Sequence, residues 1–355
     1  MKVRLLDLGQ VSYLRSQTVY HAVAYAMDEA SPDTISLMSP AEPYVCVGYH
    51  QEVEKEIDVE YCRAHDIPIL RREVGGGAVY LDSGQLFWHV IFHRERVPRQ
   101  VEEVYGLFLQ GPVAAYRAMG IPAYHRPVND IQVEGRKIGG TGAANIGQAV
   151  VVVGSLIFDF NYELMASVLK VPSEKFRDKV YRSLQEYLTT IRRELGEKAP
   201  SPEEGKEILI EKFAETLGVE IERGELTRRE EEVISQVDVR FLSEEWIYQK
   251  GGLPKEGVKI AEGVQVLEAT YKAPGGLIRA TVRLRDDRID DLTLSGDFFF
   301  YPAEQLARLE KILEGEALKE EELKARISDF YAINGIQSPG VAVEDLVKAI
   351  LLVKR

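Results

Sequence analysis

Three consecutive glycines, Gly75-Gly76-Gly77, follow Arg71-Arg72-Glu73-Val74 and precede the β-rich run Ala78 to Leu81. This run restricts the fold more than any other feature of the chain. Glycine loses the most backbone freedom on ordering, so three in a row exclude a helix interior. What such a run permits is close approach, by another stretch of backbone or by a ligand whose anionic oxygens meet free N–H groups. Two arginines just ahead supply fixed positive charge with planar donors. Taken alone, however, the run reads as a bulge at a sheet edge with its arginines on a solvated face, because a lone glycine cluster is weakly specific.

A second stretch changes that balance. From Arg126 to Gly147 the chain reads RPVNDIQVEGRKIGGTGAANIG. Glu134-Gly135 is a turn between Ile131–Val133 and Lys137–Ile138, which predicts a hairpin. Asn129-Asp130 enters it, and Lys137 is presented just before a second glycine pair, Gly139-Gly140, followed by Thr141. A lysine flanked by bare backbone suits charge developing on a phosphate and a carboxylate oxygen. The plain alternative is a surface hairpin with a solvated lysine. The two stretches in this order favour an anion-handling site.

The surrounding pattern predicts an α+β fold. Tyr44 to Gly48 and Ile67 to Arg71 read as strands, with helical spacing through Val53, Ile57 and Tyr61 between them. Ala78 to Leu81 and Gln85 to Phe92 read as a hairpin around Asp82-Ser83-Gly84, and Val150 to Phe160 as a buried strand. Helices dominate from Pro172 to about Gln236, opened by capping boxes at Ser201 to Glu204 and Thr227 to Glu230. Mixed, largely antiparallel sheets flanked by helices are therefore expected, not a doubly wound parallel sheet. QKGGLPKEG, from Gln249 to Gly257, has linker character. We place a boundary there, giving a catalytic domain over 1–250 and a small α+β accessory domain over 251–355. The latter has strands near Val264–Tyr271, Gly276–Leu284 and Ile289–Leu294 and apolar-periodic helices near Pro302–Glu314 and Val343–Val353.

Composition narrows the function classes. A net charge of −13 argues against a nucleic-acid partner. From Arg63 to Lys137, ten Lys/Arg face eight Asp/Glu, a slightly positive window in an acidic chain, where an anionic ligand is expected. Leu5 and Leu6 are followed by Asp7 and Gln10, not by an apolar run, and Ala149 to Phe158 is too short to span a bilayer, so a cytoplasmic protein without membrane partners is expected. Cys46 and Cys62 make neither a disulfide framework nor a metal site. His89 and His93 share a strand face, but nothing nearby completes a ligand set, and we read them as structural.

RREVGGGAVYLDSG and NDIQVEGRKIGGTG resemble the two signature stretches of the lipoate–protein ligase A family, in the superfamily of biotin ligases, lipoate ligases and octanoyltransferases. The resemblance extends nearly the whole length. Val258 to Pro302 and Ser338 to Val341 are similar to the family's small C-terminal domain, here fused. The resemblance implies ATP, magnesium and lipoate as ligands. It implies that Arg71, Arg72, Gly75, Gly76, Gly77, Ala78, Val79 and Tyr80 line a lipoyl-adenylate. Asn129, Asp130, Gly140, Thr141 and Gly154 would complete its surroundings, with Asp130 a candidate to orient magnesium. Lys137 would be catalytic, touching the carboxylate and the α-phosphate. This chain departs from the pattern at Leu81-Asp82, where the family usually has His-Asp, at Gly139, commonly Ser or Thr, and at Val153-Gly154-Ser155, in place of His-Gly-Thr.

The implied reaction makes an acyl-adenylate and passes the acyl group to a carrier lysine, with no enzyme nucleophile required. The carrier would be a glycine-cleavage H-like protein, a dehydrogenase lipoyl domain or a dedicated lipoate-binding protein. Three rivals remain open. An octanoyl- or lipoyl-transferase would need a cysteine thioester, yet Asn161 to Arg182 holds no cysteine. A biotin ligase would carry an arginine-interleaved glycine loop, unlike GGGAVY. A non-catalytic lipoyl-binding protein would have little reason to keep Arg72 and Lys137.

Overall fold

A computed structural model describes residues 2–250 and 264–354; most of the expected linker lies outside the described residues. The strands in chain order are β1 (Lys2–Val11), β2 (Thr34–Pro40), β3 (Tyr44–Val47), β4 (Ile69–Arg71), β5 (Val79–Leu81), β6 (Gln85–His93), β7 (Tyr124–Arg126), β8 (Asp130–Val133), β9 (Arg136–Ile146), β10 (Ala149–Ile157), β11 (Glu220–Arg223), β12 (Val264–Ala273), β13 (Gly276–Arg285) and β14 (Arg288–Gly296). They form an eight-stranded sheet in the order β11-β1-β2-β6-β10-β9-β8-β7 and two three-stranded sheets, β4-β3-β5 and β12-β13-β14. In the large sheet only β11-β1 and β1-β2 run parallel; the other pairs are antiparallel. The α+β expectation holds.

Two compact units emerge among the described residues. One is built from the stretches up to Cys46, Glu56–Arg72 and Val79–Ile247; the other from Val47–Lys55, Glu73–Ala78 and the residues from Tyr248 onward. In the first unit β6 is the spine, buried along its whole length. Successive side chains on a strand face opposite ways. His89 stacks on Tyr20 of the Arg15–Ala26 helix at 4.4 Å, whereas Trp88 meets Phe213 of the Pro202–Leu217 helix edge-on at 5.7 Å. Helices thus cover both faces of the sheet.

Local signals explain several of these elements. The Pro202–Leu217 helix starts at a reciprocal Ser201/Glu204 capping box with proline in its first turn and stops at left-handed Gly218 (φ 64°). Thr227 and Glu230 open the Arg228–Phe241 helix in the same way. The helical spacing from Gln51 to His65 is realised as two short helices, Val53–Glu56 and Val59–Ala64. The break falls at Ile57, which bridges to Leu169, and Asp58 then caps the second helix through Tyr61 N.

The expected hairpin between Ala78–Leu81 and Gln85–Phe92 does not form. Both strands exist, but β5 pairs with β3 while β6 pairs with β2 and β10. The Asp82-Ser83-Gly84 turn redirects the chain from one sheet to the other: Asp82 Oδ1 accepts from Gly84 N, and Gly84 O accepts from the amides of Phe158 and Asp159.

The second unit carries its own apolar core. Ile278, Val282, Leu292 and Leu294 of the small sheet pack with Phe298, Leu309, Ile327 and Ile350. Segment 47–55 is joined to this unit by polar contacts. Ser295 Oγ donates to Glu52 at 2.5 Å, and Lys55 pairs with Glu52 at 3.2 Å and with Glu268.

Candidate active site

The lysine hairpin lies in the first unit. Glu134 (φ 49°) and Gly135 (φ 79°) form its two-residue turn, both in the left-handed region that such tight hairpins need. Asn129 and Thr141 close its open end: Asn129 Nδ2 donates to Thr141 O at 2.6 Å, and Thr141 Oγ1 donates to Asn129 O at 2.5 Å. Between these ends the register slips. Gln132 faces Lys137 and Ile131 faces Gly139, so Ile138 is an extra residue on β9.

That bulge decides where the lysine points. On a regular strand residues 137 and 140 would face opposite ways. Here the Lys137 chain lies over Gly140, where a Cβ would come within 3.2 Å of Lys137 Cε and 3.4 Å of Nζ. Asp130 is the register partner of Gly140 and ion-pairs with Lys137 Nζ at 2.7 Å. The two side chains are 38% and 29% exposed, so the pair adds little stability. Its effect is to hold a cation in one place, within reach of solvent and solute.

The other expected residues of this unit have varied roles. Arg71 is fully buried, and its guanidinium donates to the carbonyls of Ile247 (2.9 and 2.7 Å) and Trp246 (3.1 Å), while Trp246 Nε1 donates back to Arg71 O. Those bonds clamp the chain to the short Glu244–Ile247 helix. Arg72, also buried, donates to Cys46 O at 3.1 Å. Val79 and Tyr80 face Cys46 and Val45 across β5 and β3, and Tyr80 meets Phe160 edge-on. Burial, with Asp82 beside it, raises the Tyr80 phenol above its ordinary range. Gly154 sits under the Trp88 indole, which a Cβ would strike. Nothing in the sequence marked Trp88 as the cause of that glycine.

The glycine run belongs to the second unit. A Cβ on Gly75 would press on the Phe299 ring at 3.0 Å, and one on Gly77 would lie 3.7 Å from Asp297 Cβ. Gly76 has a φ of 92°, and its carbonyl occupies the place a Cβ on Gly48 would take. Tyr49 N donates to Val74 O at 3.1 Å, fixing the two segments side by side. Residues 76–78, with Ala78 the last, keep part of their surface exposed. Gly48 was invisible as a partner in the sequence because it stands 28 positions away.

The titratable groups divide clearly. Cys46 is buried and its thiol is raised by that burial; Cys62 is pushed up to about 11 by burial and the nearby Asp58. His89 bonds Ser36 Oγ at 2.9 Å and is lowered to about 3 by burial and by His21, while His93 bonds Gln148 at 3.1 Å. No group of three or more His, Cys, Asp or Glu able to hold a metal occurs among the described residues. No helix among them is long and apolar enough to cross a membrane.

Residues 12–214 match the family described as the lipoyl protein ligase A/B catalytic domain, and 267–350 match the bacterial lipoate protein ligase C-terminus. The octanoyltransferase LipM of Kyrpidia tusciae is 30% identical, over 70% of this chain and 98% of its own. Lipoate–protein ligase 2 of Staphylococcus aureus is 27% identical over 87% of each. Among solved structures, a bi-partite lipoate protein ligase from Thermoplasma acidophilum, studied with its E2 lipoyl domain, superposes with a TM-score of 0.64 at 28% identity, over 73% of this chain and 100% of that one. Ligases and octanoyltransferases are thus both among its relatives, and the chain belongs to the lipoyl protein ligase A/B family.

Proposed function

We propose that this chain is an ATP-dependent lipoate–protein ligase, which activates lipoate or octanoate as the acyl-adenylate and transfers the acyl group to a carrier lysine. The observation that carries this reading is the contrast between Lys137 and the two thiols. Lys137 is a solvent-reachable cation held in place by Asp130. Both cysteines are buried with their thiols raised, whereas a thioester relay needs a reachable thiolate.

In the first step a carboxylate oxygen attacks the α-phosphorus of ATP, the bond to the β-phosphate bridge breaks, and pyrophosphate leaves. Lys137 offsets the charge shared by the carboxylate and the phosphate, a fixed donor whose loss typically costs about 10²–10³ in rate. In the second step the carrier's ε-amine attacks the acyl carbonyl, AMP departs, and the amine's proton passes to solvent. Magnesium, bound chiefly by the nucleotide's own phosphates as is usual for that ion, would neutralise part of their charge. Asp130 is the acid bonded to Lys137 and the group we assign to orient it.

The Thermoplasma relative's association with a lipoyl domain supports a carrier of that kind. We further assign residues 1–250 to catalysis and 251–355 to an accessory role. The test is acylation of purified apo-carriers, followed by intact mass, with either ATP plus free acid or an octanoyl carrier thioester as donor. The ligase reading expects a mass gain only with ATP and lipoate or octanoate. Acylation from the thioester without ATP would establish the transferase instead, and a gain with biotin would make it a biotin ligase.

A further inference from the structure

Tyr116 stands on the Gln110–Ala118 helix, fully buried, with its hydroxyl at the point where β9 and β10 part. The β9–β10 pairing runs from Ile146 and Ala149 to Thr141 and Gly154. Past that point, Tyr116 Oη donates to Ile138 O at 2.8 Å, lies 3.4 Å from Ser155 O, and accepts from Ile157 N at 3.3 Å. One phenol thus joins backbone groups of both strands.

Ile138 is the extra residue of the β9 bulge, directly after Lys137. The carbonyl of Lys137 itself accepts from Thr189 N at 2.9 Å, in a parallel bridge between Lys137 and Leu188. The two carbonyls at the bulge are therefore held from outside the β8–β9 hairpin, one by a main-chain amide and one by a side-chain hydroxyl. Burial raises the phenol above its ordinary range, so it stays a protonated donor at any working pH. A buried backbone carbonyl without a partner is unfavourable, which gives the hydroxyl a grip on the conformation.

We propose that Tyr116 is a positioning residue for Lys137: its hydroxyl pins the bulge that lays the lysine over Gly140 and against Asp130. The inference rests on the ligase reading of Lys137 and adds the part of the fold that sets the lysine's aim. A misplacement of about 1 Å can cost on the order of 100-fold in rate, so a bulge free to relax would be felt at the ammonium.

Tyr116→Phe removes the hydroxyl and keeps the ring. Measured in the full chain by lipoate-dependent pyrophosphate release, kcat should fall by roughly 10- to 100-fold with KM for ATP and lipoate within about 2-fold. Amide exchange should quicken at Ile157 and stay slow at Val151, in the intact part of the sheet. A merely structural tyrosine would lower the melting temperature without splitting kcat from KM. If the Phe variant folds poorly, the same kcat, KM and amide-exchange measurements in a stabilising osmolyte, with wild type in the same buffer, decide the question. Wild-type kcat in folded Tyr116→Phe overturns the proposal. Lys137→Ala separates the two levels. Wild-type turnover there removes the ligase reading of Lys137, whereas loss there with none in Tyr116→Phe defeats the positioning role alone.

Discussion

The two glycine stretches look alike in sequence and are glycine for different reasons. At Gly75 the bareness answers to the Phe299 ring, which a Cβ would meet at 3.0 Å, and the Gly76 carbonyl keeps Gly48 bare in turn, whereas a Cβ on Gly77 would make only an ordinary contact at 3.7 Å. At Gly140 it leaves room for the Lys137 side chain, which crosses the strand where a Cβ would stand. Gly75 and Gly48 are bare where neighbours pack against them, and Gly140 gives clearance to the Lys137 side chain. A glycine cluster therefore does not identify an anion site until its neighbours are known.

The largest effect is expected at the lysine. Lys137→Ala should lower adenylate formation by about 10²–10³ while leaving the thermal midpoint close to wild type, because the partner it abandons is half-exposed and not buried. A variant that keeps full activity would place the reactive cation elsewhere. Gly48→Ala probes the other stretch and should show the converse pattern. Its methyl meets backbone, which cannot step aside as a side-chain tip can, so a stability loss of about 1–3 kcal/mol is expected. Equilibrium denaturation would read it, and an unchanged midpoint would mean that the Gly48–Gly76 approach is slack. The smallest effect is expected at the thiols. The double variant Cys46→Ala, Cys62→Ala should ligate within about 2-fold of wild type, with only a modest packing loss. Loss of acyl transfer in that variant, together with an acyl-enzyme trapped in the wild type, would revive the thioester route.

Much of the lysine hairpin was readable in advance. Glu134-Gly135 set the turn, Asp130 and Lys137 fell on the strands it joins, and Asn129 stands just before the first of them. The bulge was not readable, since it depends on which residues of β8 and β9 face each other. Tyr116 was hidden for a related reason: a buried tyrosine on a helix looks like core until its hydroxyl is seen to meet Ile138 and Ile157. The Arg15–Ala26 helix escaped the pattern reading because ten of its twelve residues are buried, which erases the polar face that betrays an amphipathic helix. Strand β11, with the polar sequence Glu-Ile-Glu-Arg, is an edge strand that owes its place to pairing with β1 and not to any apolar run. Arg71 and Arg72 read either as donors to an anion or as a solvated pair; both are buried, and Arg71 donates to main-chain carbonyls. The false hairpin at Asp82–Gly84 has the same lesson. Local turn chemistry says that the chain reverses, but not which sheet receives it.

The central claim is that this chain makes an acyl-adenylate from free acid and ATP. Exchange of radiolabelled pyrophosphate into ATP, with no carrier protein present, tests it most directly, because label returns only if an enzyme-bound adenylate forms reversibly. The account predicts exchange that requires lipoate or octanoate, is absent with biotin, survives replacement of both cysteines and collapses in Lys137→Ala. No acid-dependent exchange by folded wild-type protein, alongside efficient acyl transfer from a carrier thioester, would contradict it.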